Sequence, residues 1–108
     1  MNTGEIWWVD LGRGRGLEQQ GVRPALVVSG NYFNELADTL AIVVPCTTRS
    51  RGWLNHVRIE GNSGLGRATY AMTEQVRVIS IERLVRRVGH ADPQTMIRVR
   101  TWITRWLR

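Results

Sequence analysis

The sequence predicts a mainly β (α+β) domain: a small barrel or strongly twisted antiparallel sheet, with short helices inserted and a helix at the C-terminal end. Three observations carry this expectation. Short apolar runs rich in β-branched and aromatic residues recur along the chain, punctuated by glycine-containing turns. They do not alternate regularly with helical patterns, as the strands of a parallel sheet would. The clearest helical periodicity lies at the C-terminus. A chain of 108 residues suits one domain with one modest core.

The elements follow in order. Residues 5–11, Glu-Ile-Trp-Trp-Val-Asp-Leu, read as the first strand. Trp7 and Trp8 then point to opposite faces, one into the core and one outward, where it could stack on a base or form an interface. Residues 12–16, Gly-Arg-Gly-Arg-Gly, form a loop. Residues 24–29 and 40–44 are continuous apolar runs, read as central strands buried on both faces. Residues 31–37 between them make two helical turns, with Asn31 as the cap. Residues 54–59 and 68–72 are further strands, separated by the turn residues Gly61-Asn62-Ser63-Gly64. Residues 76–79 make another strand, after which Ser80 caps a short helix over 81–87. Asp92 caps the last helix, Pro93 takes its first position, and it runs towards Leu107. Met96, Val99, Ile103 and Trp106 form its apolar stripe, while Arg98, Thr101, Arg105 and Arg108 line the other side. That stripe has the width a soluble core needs, and the helix is expected to close one end of the barrel. A membrane-surface helix is the alternative.

Composition narrows the function. At 43% hydrophobic residues the chain is globular, not disordered. No apolar run approaches the roughly 20 residues of a membrane span. The first residues lack the basic start and apolar stretch of a signal peptide, so a cytoplasmic location is expected. One cysteine, Cys46, excludes an internal disulfide, and its place at the end of an apolar strand reads as packing. With only His56 and His90 beside it there is no metal-ligand spacing, and no metal or other cofactor is expected. Both histidines read as surface residues. The net charge is +6 and the sequence pI about 11.2. All fifteen basic residues are arginine. Guanidinium groups grip phosphate oxygens bidentately and stack on bases, so a polyanion is the favoured partner.

Arg23 stands out among the candidate residues. Pro24 pushes it into an extended conformation, so its direction is partly fixed before a ligand arrives, and a preorganised guanidinium suits a developing phosphorane charge. The bland reading is a strand-edge arginine paired with Glu18 or another carboxylate. Thr47 and Thr48 end the strand that starts at Leu40, where a hydroxyl can donate to a phosphate oxygen or simply be strand-end polarity. Arg13 and Arg15 interleave with glycines that allow close backbone approach, and Arg49 and Arg51 follow the threonines. The loop is neither a P-loop nor a dinucleotide-binding turn. Gln75 and Arg77, two apart, share one face of the strand entered from Thr73-Glu74-Gln75, where they could read bases or a phosphate backbone, or face solvent.

Together, Gly4-Glu5-Ile6-Trp7-Trp8-Val9-Asp10-Leu11, Glu18-Gln19-Gln20-Gly21-Val22-Arg23-Pro24-Ala25-Leu26-Val27-Val28-Ser29, Val43-Val44-Pro45-Cys46-Thr47-Thr48-Arg49-Ser50-Arg51-Gly52 and Thr73-Glu74-Gln75-Val76-Arg77 resemble the MazF/PemK family of toxin endoribonucleases in order and spacing. The resemblance covers essentially the whole chain. It implies an SH3-like barrel that forms a homodimer and cuts single-stranded RNA without metal at a short motif. It also implies a cognate antitoxin with an acidic, disordered tail laid across the RNA groove. The family's catalytic arginine and threonine fall on Arg23 and Thr47, its loop glutamate on Glu18, and its later glutamate-glutamine on Glu74 and Gln75. The first loop departs from the family pattern: Leu17 stands where many members have serine, and the Gly-Arg repeat replaces a proline-containing loop. The implied reaction is attack by the RNA 2′-hydroxyl, giving a 2′,3′-cyclic phosphate and a 5′-hydroxyl. Glu18 would be the base, or the clamp that orients Arg23. Two rivals share the barrel: a gyrase poison like the CcdB toxins, and a non-enzymatic RNA-binding barrel.

Overall fold

A computed structural model describes residues 1–13, 16 and 21–108. The strands are β1 (Glu5–Asp10), β2 (Val22–Val27), β3 (Leu40–Thr47), β4 (His56–Arg58), β5 (Tyr70–Met72), β6 (Arg77–Ser80) and β7 (Leu84–His90). The helices are α1 (Asn31–Leu36) and α2 (Pro93–Trp106), and 3₁₀ turns occupy Thr73–Gln75 and Ile81–Arg83. The mainly antiparallel β architecture with a C-terminal helix is the one the sequence predicts.

β3 organises the sheet because it is the longest strand and apolar on both faces. One edge pairs with β2. The other is shared, with β6 against residues 40–43 and β5 against residues 46–47. The strand order is β4-β5-β3-β2-β1-β7, with β6 off that path on β3. No ladder joins β7 to β4 among the described residues, so the sheet is strongly twisted without closing as a barrel. Its two ends are drawn together by the loop after β4. The amide of His90 donates to the Asn62 carbonyl at 3.0 Å, and that of Asp92 to Glu60 at 2.8 Å. Gly89 allows this approach, since a Cβ there would collide with the backbone of Asn62 and Ser63.

The central strands divide the core in two, as strand alternation demands. Ile6, Leu26, Val44 and Cys46 face one side, where Met96 and Val99 of α2 cover them together with Val57 and Ala71. Val9, Ala25, Val27, Ala41 and Val43 face the other, with Ile79. Asp92 caps α2 as expected, its Oδ1 accepting from the Thr95 amide at 2.9 Å. Gly30, not Asn31, holds the cap position of α1. No described helix is long and apolar enough to cross a membrane.

One predicted element is wrong. The helix expected over 81–87 is a single 3₁₀ turn, capped by Ser80 as predicted, followed by strand β7. β7 is an edge strand whose only ladder among the described residues is with β1, and Val85, Arg86 and Arg87 are exposed, so its apolar residues need not alternate. Its register also shifts twice against β1, which blurs the period of two.

Candidate active site

Arg23 lies in β2 directly ahead of Pro24, extended as the proline requires. β2 and β3 run antiparallel with Ala25 opposite Pro45 and Leu26 opposite Val44. Continuing that register by two residues sets Arg23 against Thr47, the last residue of β3. Both line one cleft of about 490 Å³, together with Trp8, Val22, Pro24 and Thr48. Two residues far apart in sequence thus meet where neighbouring strands end.

The Thr47 hydroxyl is held in place. Its Oγ1 accepts the Arg49 amide at 3.1 Å. A hydroxyl has one donor and two acceptor positions, so this bond leaves the O–H proton for an incoming oxygen. Thr48 lies just past the strand, exposed, and lines the same cleft. Cys46 stands behind them, fully buried, and burial pushes its thiol up to about 12 against the smaller opposing effect of a backbone hydrogen bond at Leu26. A thiol that keeps its proton is a packing group and not a nucleophile, as expected. The tryptophans divide as predicted in direction. Trp7 packs on the second core cluster, and Trp8 lines the cleft, although both are half-buried.

The other predicted residues are not all brought here. Glu18 and Arg15 lie outside the described residues. Arg13 is exposed in the loop after β1. Arg49 and Arg51 are exposed, and the Arg51 guanidinium sits 5.5 Å from the Trp53 ring centroid. Gln75 and Arg77 do not share a strand face. Gln75 ends the 3₁₀ turn, and β6 begins at Arg77, which pairs with Val43. A three-residue turn replaces the extended backbone on which the spacing of two relied. Both still line a second cleft of about 250 Å³ with Glu74 and Val76. Val43 and Thr47 are four residues apart on β3, so this second cleft stands ~13 Å along the strand from the first, at ~3.3 Å per residue.

His56 corrects another expectation. His90 is exposed, but His56 is buried. Its Nε2 lies 2.9 and 3.0 Å from the two carboxylate oxygens of Glu74. Lone residues 18 positions apart carry no local pattern that would announce such a pair. Among the described residues, no three His, Cys, Asp or Glu side chains gather as a metal ion would need.

Known proteins share this sequence pattern and fold. The family model described as PemK-like, MazF-like toxin of type II toxin–antitoxin systems matches residues 2–107. The chain is similar to Endoribonuclease MazF9 of Mycobacterium tuberculosis, with 39% identity over 85% of this chain and 83% of that one. It is 31% identical to Endoribonuclease EndoA of Bacillus subtilis, over 92% of this chain and 87% of that one. Its fold superposes on crystalline MazF from Deinococcus radiodurans with a TM-score of 0.86 and 25% identity, covering 99% and 96% of the two chains. A mycobacterial endoribonuclease solved with its cognate antitoxin has the same fold, with a TM-score of 0.80 and 23% identity over 99% and 94%.

Proposed function

Since the chain belongs to the PemK-like, MazF-like toxin family of type II toxin–antitoxin systems, we propose that it is an endoribonuclease that cuts single-stranded RNA at a short sequence and is neutralised by a cognate antitoxin. The observation that carries this reading is the shared cleft of Arg23 and Thr47 at the ends of β2 and β3.

RNA brings its own nucleophile. The enzyme's tasks are to align the 2′-oxygen, phosphorus and 5′-oxygen, and to stabilise the charge that grows on the phosphoryl oxygens. In this reading the Arg23 guanidinium binds those oxygens bidentately. The Thr47 hydroxyl donates one more hydrogen bond from the facing strand. Arginine is a poor proton acceptor, so Arg23 stabilises charge and assists the leaving 5′-oxygen. Glu18 remains the proposed base or clamp. The 2′-oxygen bonds to phosphorus as the bond to the 5′-oxygen breaks; the 2′-hydroxyl proton passes to Glu18 as base, or to water where Glu18 is only the clamp, and the 5′-oxygen takes a proton from water beside the Arg23 guanidinium, leaving a 2′,3′-cyclic phosphate and a 5′-hydroxyl. Arg13, Arg15, Thr48, Arg49, Arg51, Gln75 and Arg77 are proposed to hold the strand on either side.

Two partners complete the reading. An acidic antitoxin tail suits a chain of net charge +6 that carries no lysine. A homodimer is supported by a face of exposed apolar groups. Leu54 (85% exposed) and Ile97 (64% exposed) line a cleft of about 410 Å³ between β4 and α2, and Trp106 and Leu107 are exposed at the end of α2.

The test is incubation of the protein with a long single-stranded RNA in EDTA, beside Arg23→Ala. Discrete cuts with cyclic phosphate ends, lost in the variant and lost when the 2′-hydroxyl at the cut site is removed, are expected. Cutting that survives in Arg23→Ala at saturating RNA sinks the mechanism. Absence of cutting across varied RNAs sinks the activity.

A further inference from the structure

We propose that His56 is a positioning residue for RNA: by clamping the Glu74 carboxylate it fixes the short turn that presents Gln75 and Arg77 to their cleft. The inference rests on the endoribonuclease reading and adds to it a device in the second cleft.

The 3₁₀ turn Thr73–Gln75 has little hold of its own. Its closing backbone bond, from the Val76 amide to the Thr73 carbonyl, is 3.4 Å long. Side chains hold it instead. His56 Nε2 lies between both oxygens of Glu74, at 2.9 and 3.0 Å, and the Asn55 amide nitrogen donates to one of them at 2.7 Å. Thr73, fully buried, donates from its hydroxyl to the Asn55 carbonyl at 2.8 Å and accepts the Trp106 indole N–H at 3.2 Å. The turn is thereby tied both to the start of β4 and to the end of α2.

Two features give His56 the leading part. A ring nitrogen between two carboxylate oxygens must be the donor, so Nε2 carries the proton. The other nitrogen, Nδ1, is buried and has no partner among the described residues. A buried unpaired polar atom is a cost, borne here by a ring whose other nitrogen holds Glu74. The ring is also fixed from its other side, with Trp53 at 4.8 Å between centroids. Glu74 is in consequence occupied by the protein, and the residues after it do the presenting: Gln75, Val76 and Arg77 line the cleft. The MazF/PemK resemblance assigns the glutamate and glutamine together; the contacts give them different work.

The experiment compares wild type with His56→Ala, His56→Gln and Asn55→Ala, measuring KM and kcat on a defined single-stranded RNA and backbone hydrogen exchange over residues 73–77. His56→Ala is expected to raise KM by about tenfold, the factor one charge-assisted hydrogen bond carries, with kcat unchanged. Exchange over 73–77 should rise with it. His56→Gln, whose amide can still donate to Glu74, should recover most of the loss. Asn55→Ala, which removes one tether and leaves the buried ring in place, is expected to move KM the same way by less, and it decides the matter if His56→Ala does not fold. An unchanged KM, or a fall in kcat with KM kept, overturns the proposal. Should wild type cut no RNA, the endoribonuclease reading fails by itself. Hydrogen exchange then decides the clamp, and unchanged exchange over 73–77 refutes it.

Discussion

Thr47→Val separates catalysis from structure at the proposed active site. Valine has nearly the shape of threonine and suits a strand, so the half-buried position and the pairing of Thr47 with Tyr70 survive. What disappears is the hydroxyl. The bond it accepts among the described residues, from the Arg49 amide at 3.1 Å, lies at an exposed turn where water can replace it. The stability loss is therefore at most about 1 kcal/mol, a shift of about 5 °C or less in Tm. The lost donor to the phosphoryl oxygen is worth far more in the transition state: about 10²–10³ in kcat, by analogy with removal of one oxyanion donor. Single-turnover cleavage of a defined RNA at saturating enzyme, with a thermal melt of the same samples, reads both. Thr48→Val is the comparison: at saturating enzyme, where a role in holding the strand is not rate-limiting, its single-turnover rate should stay near wild type, because Thr48 lies beyond the register that faces Arg23. A Thr47→Val rate within about threefold of wild type would refute the donor role. Loss at Thr48 instead would move the register by one residue.

Other expectations follow from the same contacts. The folded state raises the Cys46 thiol from 9.0 to about 12, so it stabilises fully below pH 9 and loses that contribution as pH rises from 9 to 12. Urea melts across that range should show the decline, Cys46→Ala should flatten it, and a thiol reagent at pH 8 should label Cys46 only on unfolding. Thr95→Val removes the hydroxyl that donates to Asp92 Oδ1 at 2.7 Å and accepts the Glu60 amide at 3.0 Å, and should cost about 1–3 kcal/mol by denaturant melt. Hydrogen bonds from the Thr95 amide and hydroxyl hold the Asp92 carboxyl below its usual range. Asp92→Ala should therefore melt lower at neutral pH, and the gap should narrow as acid protonates Asp92 in wild type. Gly89→Ala drives a methyl into the backbone of Asn62 and Ser63 and should cost about 1–3 kcal/mol or more, while Gly66→Ala, which meets nothing, should melt like wild type.

Much of this architecture can be read in the sequence because the signals are local. The apolar run before Ser29 and that after Thr39 are buried on both faces in β2 and β3, and the Asp92-Pro93 start of α2 lies where capping chemistry puts it. Legibility fails where the deciding interaction is distant or faces water. β7 reads as helix because an edge strand is free of strict alternation, and Leu84-Val85-Arg86-Arg87-Val88 carries no period of two. His56 reads as a surface residue because nothing near it announces Glu74. Gln75 and Arg77 follow a spacing argument that the 3₁₀ turn invalidates. Arg23 and Thr47 are legible one at a time, through a proline and a strand end; their meeting is visible only in the β2–β3 register.

The pairing of β1 with β7 has a kinetic consequence. Glu5 sits opposite His90, so the first strand made is completed by the last. Until residues 84–90 have left the ribosome, β1 has a partner on its β2 side only, and its other edge stands open to wrong pairing. Contacts of such long sequence separation slow folding, since the whole intervening chain must be ordered before they form. β2 and β3, which carry Arg23 and Thr47, are joined by a much shorter connection and can pair early. The order of synthesis therefore lets β2 and β3 pair before the sheet that steadies them, and β7 and then α2 close over a core already begun.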